Sequence, residues 1–186
     1  MSVGANRRGV LRIISSGVGI IFGLSNIGNA QEITRDDILW QFDSETIDSG
    51  PTVVNNTVYF GSNSGSVYAV DAINGEEIWK NDLFELAGGE IVSSSPTVID
   101  DFVYIGSDEG KMYALGADSG EKQWEYNVFD EVDDHGWIRT SPTVADDTVF
   151  FGCTRSFSNE PHDKLHALDI SDGSKRWGWG SENSVT

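Results

Sequence analysis

Residues 51–79 read PTVVNNTVYFGSNSGSVYAVDAINGEEIW, and this stretch decides the fold. Thr57-Val58-Tyr59-Phe60 is β-branched and aromatic, the composition of a pleated, half-buried strand. Asn55-Asn56 before it fits a two-residue hairpin turn, because asparagine tolerates positive φ. Asn63-Ser64-Gly65 turns the chain again. Val67-Tyr68-Ala69-Val70-Asp71 reads as a third strand, and Asn74-Gly75 separates it from a fourth at Glu77-Ile78-Trp79.

The stretch recurs twice. Residues 96–124 read PTVIDDFVYIGSDEGKMYALGADSGEKQW, and residues 142–177 begin PTVADDTVFFG and end LHALDISDGSKRW. Proline-to-tryptophan spacing is 28, 28 and 35, the third copy carrying seven extra residues between Gly152 and Leu165. Asp100-Asp101 and Asp146-Asp147 stand where Asn55-Asn56 stood. Ser119-Gly120 and Asp172-Gly173 stand where Asn74-Gly75 stood. A period of 45 and 46 residues with four short strands per copy describes a β-propeller blade. No segment keeps a 3.6-residue period, which excludes a helical solenoid. The predicted fold is all-β: a partial β-propeller of three four-stranded antiparallel blades, at about 43–79, 80–124 and 125–177.

The residues carry a resemblance. Tyr59-Phe60-Gly61-Ser62, then Tyr68-Ala69-Val70-Asp71, then Gly75 and Trp79 resemble the repeat of the pyrroloquinoline-quinone-like (PQQ-like) β-propeller family. The second copy departs from that pattern at Gly116, where the family has Asp. The third departs at Cys153 for Ser and at His166 for Tyr. The resemblance implies that Trp79, Trp124 and Trp177 each pack on a neighbouring blade, and that Gly61, Gly106 and Gly152 admit a close backbone. It implies function only in outline, since one propeller architecture hosts many activities.

Three blades fall short of the roughly four to eight that close a ring. Ile38-Leu39-Trp40-Gln41-Phe42 reads as the fourth strand of a blade whose first three strands are missing. A truncated propeller, or self-association of chains to complete one, accounts for both observations.

Residues 1–30 hold three arginines (Arg7, Arg8 and Arg12) and no acid, then an apolar middle and the small residues Gly28-Asn29-Ala30. That is the pattern of a secretory signal peptide. Its Arg7-Arg8 pair resembles a twin-arginine signal. The apolar middle is shorter than the about 20 residues of a membrane span, so no stable span is expected after cleavage. The predicted location is extracellular or at the cell surface, with residues 31–186 as the propeller.

The chain has 30 acidic and 12 basic residues, a net charge of −18. So acidic a surface opposes nucleic-acid binding, which needs phosphate neutralisation. The acids are spread along the chain, as on a solvated surface in a hypersaline medium, where salt screens self-repulsion.

Catalytic signals are absent: no Gly-x-Ser-x-Gly, no phosphate-cradling loop and no His-Glu-x-x-His. The resemblance brings to mind a quinone-dependent dehydrogenase, but one cysteine cannot supply the adjacent pair common there. No residue carries over as a PQQ or calcium ligand, so neither cofactor is expected. Cys153, His162, Asp163 and His166 are residue types that suit zinc, but their spacing matches no familiar zinc pattern. His166 reads instead as a structural substitute for Tyr68 and Tyr113. The expected role is a non-catalytic protein-binding or scaffolding module, with a fragment of a PQQ-dependent dehydrogenase as the alternative. His135, Trp137 and Arg139, between Trp124 and Pro142, form the candidate partner surface, because Trp and Arg are common interface anchors.

Overall fold

The computed structural model describes residues 9–13, 20–24, 38–44, 46–83, 91–128, 136–155 and 164–179. Every regular element among them is a strand.

Blade I is β4 (Thr52–Val54), β5 (Thr57–Gly61), β6 (Ser66–Asp71) and β7 (Glu77–Asp82). Blade II is β8 (Thr97–Ile99), β9 (Phe102–Gly106), β10 (Lys111–Gly116) and β11 (Lys122–Asn127). Blade III is β13 (Thr143–Ala145), β14 (Thr148–Arg155), β15 (Lys164–Asp169) and β16 (Lys175–Trp179). Each blade is an antiparallel meander in chain order. A short strand, β12 (Gly136–Trp137), adds to the far end of β14.

The turns follow from their residues. Asn55, Asn56, Asp100, Asp146 and Asp147 all have positive φ, between 47° and 67°. This is left-handed backbone that Asn and Asp enter at low cost. The tryptophan strands share a further detail. Ala69 pairs with Trp79 but Val70 with Glu77, so one extra residue bulges the strand beside the ring. The same shift separates Ala114 from Leu115 and Ala167 from Leu168. A bulge sharpens the local twist and recurs here as part of the repeat.

In blades I and II the inner strands are buried on both faces, because each of these blades is sandwiched. Val58, Phe60, Tyr68 and Val70 face the N-terminal side, with Trp40 and Ile47. Tyr59, Val67, Ala69 and Trp79 face blade II, against Val92, Val103, Ile105 and Leu115. Tyr104, Met112, Ala114 and Trp124 repeat that face toward blade III, against Ile138, Val149, Phe151 and Leu168.

One expectation needs correction. The Trp40 strand, β3 (Ile38–Gln41), has sheet neighbours. It pairs with β2 (Ile20–Leu24), which pairs with β1 (Gly9–Ile13). Ile21 opposes Gln41 and Gly23 opposes Ile38, so β3 carries the extra residue in the same place as the other tryptophan strands. Residues read as a leader therefore supply two strands of a blade-like sheet. Among the described residues, no helix is long and apolar enough to cross a membrane.

Candidate functional site

Three repeated contacts bind one blade to the next. The first is made by tryptophan. Trp40, Trp79 and Trp124 donate their indole N–H to the carbonyls of Ala72, Ala117 and Ile170, at 3.0, 2.7 and 3.1 Å. Each ring lies over a glycine in the next turn: Gly75, Gly120 and Gly173, with φ of +74°, +70° and +72°. A Cβ on any of them would sit 2.6 Å from the ring. Trp177 departs from the expectation. It is 44% exposed, against 8% for Trp79 and Trp124. No fourth blade lies beyond it among the described residues, and its ring meets Phe150 of its own blade, at 5.9 Å.

The second contact surrounds the motif glycines. A Cβ on Gly61 would lie 2.4 Å from Val92 Cγ1, and one on Gly106 would lie 2.4 Å from Ile138 Cγ2. Val92 and Ile138 belong to the segments that lead into blades II and III. Their N–H groups donate across the blade boundary to Ser62 O and Ser107 O, at 3.1 and 2.8 Å. Sequence reasoning missed the third element. Ser49 Oγ donates to Gly61 O and accepts from Gly61 N–H, at 2.9 and 2.8 Å. Ser94 does the same for Gly106, and Thr140 for Gly152. The available signal was a hydroxyl two residues before each repeat proline. Thr52 and Thr97, just after those prolines, donate to Pro96 O and Pro142 O of the following blade.

The predicted partner surface lies at this end of the blades. Arg139 reaches back to blade II and grips Asp108, Nη2 to Oδ2 at 2.8 Å and Nε to Oδ1 at 3.1 Å. Ser93 donates to the same carboxylate at 3.2 Å. The pair with Asp108 raises the Arg139 pKa above its ordinary value, through the hydrogen bond first. The guanidinium also stands 4.6 Å from the centre of the Trp137 ring, a cation–π distance. Trp137 and Arg139 thus form one unit, half-buried ring under exposed cation, braced by a carboxylate from the neighbouring blade. His135 lies outside the described residues, as do 84–90, 129–135 and 156–163.

Cys153 and His166 are both buried, with Sγ and Nε2 3.4 Å apart. His166 opposes Phe151 in register, as Tyr68 opposes Phe60. Its ring stacks on Phe151 at 5.2 Å and 10°, against 5.1 Å and 13° for Tyr68 on Phe60. The imidazole therefore occupies the tyrosine's packing position. Among the described residues no group of three or more His, Cys, Asp or Glu gathers to hold a metal ion. His162 and Asp163 lie outside them.

A family model described as outer membrane protein assembly factor BamB, built on the PQQ repeat, matches residues 28–181. The chain belongs to this PQQ-repeat family. Among solved structures it is similar to BamB from Moraxella catarrhalis, at 21% identity and TM-score 0.65, covering 92% of this chain and 45% of that one. A europium-containing methanol dehydrogenase matches at 15% identity and TM-score 0.71, over 95% and 40% of the two chains. A quinohemoprotein alcohol dehydrogenase from Comamonas testosteroni matches at 24% identity and TM-score 0.64, over 74% and 21%. At these identities the likeness shows the fold, a β-propeller. This PQQ-repeat chain spans less than half the length of each of those structures. Among curated proteins none matches it.

Proposed function

We propose that this PQQ-repeat chain is an exported, non-catalytic module that binds another protein outside the cytoplasm, on the surface built from Trp137 and Arg139. The observation that carries this reading is the bracing of that surface. Asp108 and Ser93 of blade II hold an arginine of blade III over an aromatic ring. A preorganised Trp–Arg unit loses little entropy on binding, and these residue types dominate interface hot spots. Kinship with a family described as an outer membrane assembly factor supports a binding role.

The second reading, a fragment of a quinone-dependent dehydrogenase, draws on the dehydrogenases among the structural relatives. One observation weighs against it. The one cysteine is spent in the core between blades II and III beside His166, so the cysteine pair that the resemblance implies cannot form.

Export rests on the arginine pair and apolar run of residues 7–24. Self-association to complete a propeller belongs to the same reading of the chain. The test is retention of proteins from an envelope extract of the source organism on immobilised chain, beside a Trp137→Ala/Arg139→Ala variant. A protein held by the parent and lost by the variant supports the assignment. Equal retention by both contradicts it.

A further inference from the structure

The first hairpin turn of blade I carries a pattern that the matching turns of blades II and III lack. Asn55-Asn56-Thr57 is an Asn-x-Thr acceptor for N-linked sugar, with no proline at its centre. No other asparagine of the chain has Ser or Thr two residues on. Blade II has Asp100-Asp101-Phe102 at this place, without the amide or the hydroxyl. Blade III has Asp146-Asp147-Thr148, with the hydroxyl but not the amide. The turn itself does not require asparagine. Asn55 has a φ of 48°, and Asp100 and Asp146 take 50° and 47° at the same position. Two of the three turns therefore meet the backbone demand with a carboxylate, as suits so acidic a chain.

The geometry presents Asn55 as an acceptor. Val54 pairs with Thr57 at the last rung between β4 and β5, so Asn55 and Asn56 project beyond the ladder. Both are exposed. Asn56 is held to the blade: its carbonyl accepts the Ala72 N–H at 2.8 Å and its amide donates to Asp71 at 3.4 Å. Among the described residues the Asn55 amide makes no hydrogen bond. A free amide on an exposed hairpin tip is open to an enzyme without unfolding the strands. The repeated meander also sets this tip apart from the surface proposed to bind protein. In blade III the matching turn abuts Thr148, at one end of β14, whereas Trp137 pairs with Thr154 near the other. A bulky sugar on the turn leaves Trp137 and Arg139 uncovered.

We propose that Asn55 is an N-glycosylation site, filled outside the cytoplasm from a lipid-phosphate-linked oligosaccharide. Asn55 Nδ2 attacks C1 of the donor sugar. The Nδ2–C1 bond forms and the bond from C1 to the phosphate oxygen breaks. The lipid phosphate leaves with that electron pair, and one amide proton passes to the transferase. No oxidant or reductant takes part. Thr57 supplies the hydroxyl two residues on that the transferase reads.

The inference rests on the reading of the chain as exported. Its test is peptide mass spectrometry of the chain recovered separately from the cytoplasm and from outside it in the source organism. Trypsin cutting at Arg35 and Lys80 leaves Asn55 on a single peptide, residues 36–80. The exported parent is expected to carry sugar on Asn55. Asn55→Asp, which copies the residue of the other two turns, and Thr57→Val are expected to lose it, and Thr57→Ser to keep it. An exported parent with the unmodified peptide mass overturns the proposal and leaves export standing. A parent confined to the cytoplasm and unmodified overturns export and the acceptor together. Sugar that persists in Thr57→Val, or that sits on another residue of the peptide, overturns the assignment of Asn55.

Discussion

Trp79 and Gly120 meet across the boundary of blades I and II with the indole flat against a backbone that has no room for a methyl group. The ring atom Cε3 stands 2.6 Å from where a Cβ would be, and the glycine's φ is +70°. Three residues earlier, Ala117 O accepts the indole N–H. Gly120→Ala combines left-handed strain of about 1–2 kcal/mol with an overpacking cost of about 1–3 kcal/mol. The expected loss of stability is about 2–5 kcal/mol in a denaturant titration. Gly178→Ala is the control. Its Cβ would lie 3.3 Å from the flexible Lys175 side chain, and its cost should stay under about 1 kcal/mol.

The tryptophans should separate by blade. Trp79→Ala and Trp124→Ala remove buried rings and their hydrogen bonds, at about 3–5 kcal/mol each. Trp177→Ala removes a ring already 44% exposed and should cost the monomer less than about 1.5 kcal/mol, nearer the range of surface changes. Unfolding midpoints in molar salt check the order. Equal losses at all three positions would contradict the account.

Ser94 offers a test of the glycine clamp. Ser94→Ala leaves the buried Gly106 N–H without its 2.7 Å acceptor and should cost about 1–3 kcal/mol. Thr140→Ser keeps the hydroxyl that serves Gly152 and should stay within about 0.5 kcal/mol of the parent. Amide exchange at Gly106 and Gly152 reads the difference site by site.

How much of this was legible in the sequence depends on distance along the chain. The blade meander and its turns could be read because Asn55-Asn56 and Gly75 specify their backbone locally. Much of the tryptophan contact was legible because the repeat spaces Trp79 and Gly120 in register. The Arg139–Asp108 grip was not, because 31 residues and a blade boundary separate the two. The Ser94 clamp was hidden, since a serine before a proline reads first as loop. Residues 9–24 are read in two ways. Their apolar, acid-free composition suits an export leader and a strand equally, and composition alone does not choose between them.

Acid should loosen blade III through Asp169. Its carboxylate accepts the Ser171 hydroxyl at 2.6 Å, Arg176 Nη2 at 2.7 Å and the Ser171 N–H at 2.9 Å. These contacts, the Ser171 hydroxyl foremost, hold its pKa well below the ordinary carboxylate range. A lowered folded-state pKa gives stability that is present above the unfolded value of about 3.9 and lost as pH falls below it. Asp169→Asn should therefore be less stable than the parent at neutral pH and lose less between about pH 4 and pH 2. Parallel acid limbs for the two proteins would rule the linkage out.

Export should depend on the arginine pair. Arg7→Lys/Arg8→Lys is expected to hold the chain in the cytoplasm of its source organism, read by immunoblot of cell fractions. A twin-arginine route requires that pair, whereas a general secretory route needs only positive charge there. Unchanged export of the double variant would remove the twin-arginine assignment.

The central functional claim is that the propeller binds protein and performs no quinone chemistry. A titration of the full chain with micromolar pyrroloquinoline quinone, in molar salt with millimolar calcium, followed by tryptophan fluorescence, tests it most directly. The account predicts no saturable quenching. Saturable quenching that requires calcium would contradict it and establish this chain as part of a quinone-dependent enzyme.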